Sequence, residues 1–145
     1  MWTIEHTAIT DAQPAAIWAA LRELHSGVPL GEHSDHFELH GPFAVGTEVS
    51  VTPQGQDTMR SVIVELDEGR SYADSTRFGD LTLLFRHTPD ALPSGTRVTH
   101  RLEIHGPSAD DVGRELGPQI SGDFPITMDE LLAAARARSA YTGSA

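Results

Sequence analysis

Residues 71–105 read SYADSTRFGDLTLLFRHTPDALPSGTRVTHRLEIH, and the fold turns on how this stretch pairs with itself. Gly79-Asp80 separates two runs rich in Thr, Leu and Phe, the pattern of a two-residue hairpin turn between strands Tyr72 to Phe78 and Leu81 to Thr88. That turn predicts Phe78 opposite Leu81, Thr76 opposite Leu83, Asp74 opposite Phe85 and Tyr72 opposite His87. The next connection, at Pro93-Ser94-Gly95, is looser. Pairing His87 with His100 across it also sets Phe85 against Leu102 and Leu83 against Ile104, so the register is self-consistent. One face then carries Leu81, Leu83, Phe85 and His87 beside Val98, His100, Leu102 and Ile104. The other shows Thr82, Arg86 and Thr88 beside Thr99, Arg101, Glu103 and His105, a solvent pattern.

Upstream, further strand signals run over Phe37 to His40, Thr47 to Thr52 and Met59 to Asp67, bounded by Gly41-Pro42, Gly46, Pro53 to Gly55 and Glu68-Gly69. Trp2, Ile4, His6 and Ala8 alternate with polar residues and predict a first strand. Asp11 then reads as a helix N-cap, with Pro14 in the first turn and Ile17, Trp18 and Leu21 on one helical face, so a short helix is expected from Pro14 to Leu24. Ser26 to His36, with Gly27, Pro29 and Gly31, reads as a loop. Downstream of Gly106-Pro107, Ser108 reads as the cap of a long helical region in which Val112, Leu116, Ile120, Met128, Leu131 and Ala135 recur at helical spacing. Pro118 and Pro125 are expected to kink or interrupt it. The fold class is therefore α+β: a strand, one or more short helices, about six antiparallel strands and a long C-terminal helix covering the apolar face of the sheet. Residues 1–138 form one expected domain, and 139–145 a flexible tail.

Composition narrows the function. The chain has 145 residues and a formal charge of −11, a field that repels phosphate backbones and argues against a nucleic-acid partner. It holds no Cys, so thiolate chemistry and Cys-ligated metals are excluded. All ten basic residues are Arg, which excludes an internal Schiff base and a P-loop lysine. Met1 to Thr10 lacks the basic start and apolar run of a signal peptide, and no stretch approaches the roughly 18 apolar residues of a membrane span, so a cytoplasmic protein without membrane insertion is expected.

Several motifs in order carry a resemblance: Trp2-Thr3-Ile4-Glu5-His6, Pro14-Ala15-Ala16-Ile17-Trp18, Gly41-Pro42-Phe43 with Gly46-Thr47, Arg86-His87, and Gly95-Thr96-Arg97-Val98-Thr99-His100-Arg101. Together they span nearly the whole chain. The chain resembles the SRPBCC superfamily (the START and Bet v 1-like helix-grip fold), and within it the bacterial polyketide cyclase/dehydrase-type members. The resemblance implies a curved seven-stranded antiparallel sheet around a long C-terminal helix, with an elongated apolar pocket between them. It also implies a hydrophobic ligand such as a lipid, sterol or polyketide, and in some members cyclisation, dehydration or hydrolysis. Relatives often place tryptophans just after the first helix, where this chain has Gly27-Val28-Pro29-Leu30-Gly31-Glu32-His33.

The registers and the resemblance nominate a site. His87 and His100 are the polar members of an apolar face and the catalytic candidates, because an imidazole exchanges protons near neutral pH. Tyr72 and Asp74 stand close enough to orient them, or to form a purely structural hydrogen bond. Thr76, Leu83, Phe85 and Leu102 from the sheet, with Leu116, Ile120, Phe124 and Met128 from the helical region, are the ligand-binding candidates; in a filled domain the same apolar residues are ordinary core. His33, Asp35, His36, Glu38 and His40, beside Glu32, have metal-binding side chains but match no strong metal signature, so neither metal nor cofactor is expected. The expected partner is a hydrophobic small molecule held by a monomer or homodimer. The alternative is a protein-interaction module working through its sheet edge or acidic surface.

Overall fold

The Gly79-Asp80 turn is where the sheet takes its register. In the computed structural model, which describes residues 1–143 and side chains as far as residue 138, Gly79 has φ of +62° while no non-glycine residue has a positive φ, the arrangement of a II′ hairpin turn. The chain runs β1 (Trp2–Thr10), α1 (Pro14–His25), β2 (His36–Leu39), β3 (Glu48–Thr52), β4 (Met59–Asp67), β5 (Ser71–Phe78), β6 (Leu81–Leu92), β7 (Gly95–His105), α2 (Ala109–Ser121) and α3 (Phe124–Gly143). The seven strands form one antiparallel sheet in the order β1-β7-β6-β5-β4-β3-β2. Phe78 pairs with Leu81 and Tyr72 with His87, and on the other side of β6 His87 pairs with His100, as the turn predicts.

Strands β6 and β7 run longer than their sequence pattern, closing through Pro93 and Ser94 with Leu92 opposite Gly95. Pro89 is tolerated inside β6 because it lies beyond Tyr72↔His87, the last pairing with β5, so its missing N–H removes no bond on that side. The β4–β5 register shifts between Ile63 and Glu65, a bulge that adds twist and turns Val64 outward. On the outer face one row of partners, Glu65, Ala73, Arg86, Arg101 and Glu5, crosses five strands. Ala73, fully buried, leaves room for Arg86 to reach Glu65 at 3.0 Å on one side and Glu103 at 3.0 Å on the other. Arg101 bridges Glu103 at 2.9 Å and Glu5 at 3.2 Å.

The helices depart from their expected ends. Among the described residues the β1–β2 connection holds one helix, α1, rather than several, and it extends to His25. Its N-cap position is Gln13, without a side-chain cap; Asp11 lies outside the helix and faces Arg136 at 3.4 Å. Ser108 occupies the N-cap position of α2 but turns its hydroxyl to the Asp80 carboxylate instead of the helix N–H groups. The C-terminal helical region breaks at Gly122-Asp123, with Pro118 carried inside α2 and Pro125 in the first turn of α3, where its absent N–H has no helical partner to lose. The flexible tail expected at 139–145 falls on residues whose side chains, and for Ser144 and Ala145 the backbone too, lie outside the described residues.

Two apolar clusters cover the concave face. Ile17, Trp18 and Leu21 of α1 meet Val49, Ile63, Met128, Leu131 and Ala135 in one. Leu81, Leu83, Leu102 and Ile104 meet Ala109 and Phe124 in the other. No helix is long and apolar enough to cross a membrane among the described residues.

Candidate functional site

Where the two clusters meet they do not close. A cavity of about 490 Å³ remains, lined by Leu21 and Met128 of the first and by Leu83 and Phe124 of the second, together with Phe85, Leu116 and Ile120. Its size and apolar walls, with a few polar groups among them, are those of a small-molecule site. Of the residues nominated from sequence, His87, His100, Asp74, Thr76, Leu83, Phe85, Leu116, Ile120, Phe124 and Met128 reach its wall. Leu102 and Tyr72 do not. Leu102 is fully buried in the Leu81–Ile104–Ala109 cluster, because the α2 entry packs over that end of β7. Tyr72 is fully buried too, its ring between Phe43, parallel at 5.8 Å, and His25, stacked at 4.0 Å.

His25 is a site residue that sequence reasoning missed. As the last residue of α1 it turns its ring under the sheet and donates Nδ1–H to the Leu21 carbonyl at 2.7 Å, a bond that fixes the tautomer and leaves Nε2 without a proton in the neutral ring. The ring also lies at 5.1 Å from His87, and His87 stacks on His100 at 4.0 Å, which stacks on Phe124 at 3.8 Å. Six rings from Phe43 to Phe124 thus form a continuous file, three of them imidazoles. Burial holds His25 down at about 4 and His100 at about 3, and depresses His87 through burial first and its imidazole neighbours second. All three are neutral at pH 7. Among the described residues no protein group hydrogen-bonds to the ring nitrogens of His87 or His100, although both rings line the cavity.

Acidic groups complete the lining. Asp74, 4% exposed, accepts the Tyr72 hydroxyl at 2.8 Å, and burial pushes its carboxyl up to about 7 against the lowering effect of that bond. The Tyr72 hydroxyl is itself raised by burial and by the Asp74 charge. Beside Asp74, the Ser61 and Thr76 hydroxyls bond to each other across β4 and β5. Asp35, from the loop after α1, and Asp123, from the break between α2 and α3, line the cavity where it reaches solvent. Burial first and the Asp123 charge second raise the Asp35 carboxyl to about 6, and burial raises Asp123.

The remaining cluster does not assemble. His33 lies 3.6 Å from Glu130 and His40 bonds the Ser50 hydroxyl at 2.7 Å, while His36 and Glu38 are exposed on the edge strand β2. Among the described residues no three His, Asp or Glu side chains are grouped to hold a metal ion.

No protein-family model and no curated protein matches this sequence. Solved structures do match. The aromatase/cyclase Zhui from Streptomyces sp. R1128 superposes with a TM-score of 0.72 at 16% identity over 95% of both chains. Norcoclaurine synthase from Thalictrum flavum, as a point mutant bound to a transition-state analogue, gives 0.72 at 14% identity over 95% of this chain and 96% of its own. The di-domain aromatase/cyclase StfQ from the steffimycin biosynthetic pathway gives 0.75 at 15% identity, over 95% of this chain and 51% of that larger one. At such identities the likeness is one of architecture: this chain has the Bet v 1-like helix-grip fold.

Proposed function

We propose that the protein binds a hydrophobic small molecule, polyketide- or lipid-like in its apolar bulk, inside the cavity between sheet and helices, and that the site is equipped for proton transfer of the cyclase or dehydratase kind. The observation that carries this reading is the state of His87, buried, and His100, half-buried: both rings line the cavity and, among the described residues, neither has a protein hydrogen-bond partner, although buried polar groups in native structures are paired. Burial of apolar ligand surface, worth about 25 cal/mol per Å² before ordering costs, supplies the affinity, and the imidazoles fix orientation.

The chemistry divides between the groups. An imidazole held well below its ordinary value by burial is a weak base, so His87 and His100 serve best by hydrogen-bonding a carbonyl or hydroxyl of the ligand. Asp74, near 7, matches the requirement for a general acid or base at neutral pH, and its Tyr72 partner holds it toward the cavity. In this arrangement Asp74 removes or returns a proton as a ketone enolises or a hydroxyl leaves as water, with the imidazoles polarising the oxygen. The similarity to two aromatase/cyclases supports the assignment at the level of fold, which by itself does not fix activity. The test is displacement of Nile red by polycyclic ketones, repeated with His87→Ala, His100→Ala and Asp74→Asn. Tight binding that weakens in the histidine variants supports the site, with turnover lost in Asp74→Asn if proton transfer occurs there. Failure of the wild-type protein to bind Nile red or any such ketone sinks it.

A further inference from the structure

We infer that the molecule taken by this cavity is cationic at its solvent end: an apolar body inside, and an ammonium group seated between Asp35 and Asp123. The inference rests on the binding reading above and adds the ligand's charge and polarity.

The lining has a sign. Asp35, Asp74 and Asp123 reach the cavity, the imidazoles there are neutral, and among the described residues no arginine lines it. With no Lys in the chain, a ligand carboxylate or phosphate would enter an apolar space with acids for company and no counter-charge, a costly burial. Asp35 and Asp123 come from segments far apart in sequence, yet both line this one cavity, and the Asp123 charge adds to burial in raising the Asp35 carboxyl. Neither carboxylate takes part in an ion pair among the described residues. Two like charges brought together at the rim of a cavity are mutually unfavourable until a cation sits between them, and a protonated amine with several N–H donors can serve both. The net charge of −11 draws cations toward that rim from a distance.

A second observation, independent of the acids, also points to a ligand. His87 is 8% exposed, lines the same cavity and has no protein partner. It asks for a polar atom at the inner end of the bound molecule, where Asp74 and Thr76 also face the space. The two ends together describe an amphipathic ligand: ammonium outside, apolar rings or chain in the middle, a hydroxyl or carbonyl inside.

The experiment compares three near-isosteric probes, naphthylmethylamine, naphthylmethanol and naphthoate, each competing with Nile red for the full chain at neutral pH. The amine is expected to bind at least about tenfold tighter than the alcohol, and naphthoate weakest. In the Asp35→Asn/Asp123→Asn variant the amine-to-alcohol ratio falls toward one, whereas Asp129→Asn, an exposed acid on α3 outside the cavity, keeps it. A melting curve of the double variant confirms that it is folded. If the alcohol binds and the amine gains nothing, or if naphthoate binds best, the charge assignment fails while the pocket stands. Retention of the amine's advantage in the double variant, or its loss in Asp129→Asn, overturns the placement at Asp35 and Asp123. If neither Nile red nor the alcohol binds, the pocket reading fails and takes this inference with it.

Discussion

Tyr72 and Asp74 stand two residues apart on β5, and the Tyr72 hydroxyl donates to Asp74 Oδ2 at 2.8 Å. Strand alternation puts both on the concave face, but only Asp74 reaches the cavity, so the phenol acts as a support from behind. Tyr72→Phe keeps the stacking on His25 and removes the one protein donor to that carboxylate among the described residues. Because the bond holds the carboxyl down, its loss should move the pKa of Asp74 above about 7, and the lost buried hydrogen bond should cost about 1 kcal/mol of stability. A carbon-detected titration of the carboxyl, with a urea melt, checks both; an unmoved or lowered pKa would show a second donor.

The three imidazoles make stability depend on pH. His25 has a folded pKa of about 4 against 6.5 unfolded, so between those values the unfolded state binds a proton that the folded state does not, and stability falls as pH drops through the window. For His25 alone the loss amounts to about 3 kcal/mol. His87 and His100 act in the same direction. Asp74, Asp35 and Asp123 oppose them, since each carboxyl is raised in the fold and takes up its proton before the unfolded value of 3.8 is reached, but from pH 6.5 down to 4 the three imidazoles outweigh them. The melting temperature should therefore fall from about pH 6.5 toward pH 4, and less steeply in His87→Phe.

Helix α2 lies on β1 through glycine. A methyl group at Gly117 would collide with the indole of Trp2, and one at Gly113 would meet the base of the same side chain. Gly117→Ala improves helix propensity by about 1 kcal/mol, yet overpacking should outweigh it and leave the variant less stable by about 1–3 kcal/mol. In a Trp2→Leu background the same change should be neutral or stabilising. Equal penalties in both backgrounds, measured in a double-mutant cycle, would refute the contact.

The outer charge row offers a contrasting case. Arg86→Gln severs bonds to Glu65 and Glu103 together, on a side chain about 30% exposed. Solvent screening limits the cost to about 1 kcal/mol, and it should shrink further at high salt. A loss that is insensitive to salt would mean that packing over Ala73, rather than charge, is what Arg86 contributes.

The strand pairings were legible because they are local: Gly79 fixes one register, and the alternation of Leu83, Phe85, Leu102 and Ile104 fixes the next. The histidine pair followed directly. His25 did not, since its role depends on how α1 crosses the sheet, and only its spacing of four from Leu21 hinted at the bond that aims it. The shared place of Asp35 and Asp123 in the cavity wall was hidden for the same reason: Asp35 stood out only among metal-type side chains, and the two come from segments far apart in sequence. An interruption of the helical region was legible but not its place, because proline marks where an N–H is missing but not where the neighbouring turn can spare it. Pro118 is absorbed inside α2, and the chain bends instead at Gly122-Asp123.

Consecutive strands β1 and β2 lie on opposite edges of the sheet, and among the described residues β1 pairs only with β7, Trp2 against Ile104. During synthesis the first strand therefore leaves the ribosome long before its partner exists. Its backbone groups must stay hydrogen-bonded to water until nearly the whole sheet has been translated. The hairpins from β3 to β7 can meanwhile assemble in order, each beside the last. β1 can join the sheet only once β7 has been made, and an edge strand left waiting in this way is the segment most open to swapping between two nascent copies.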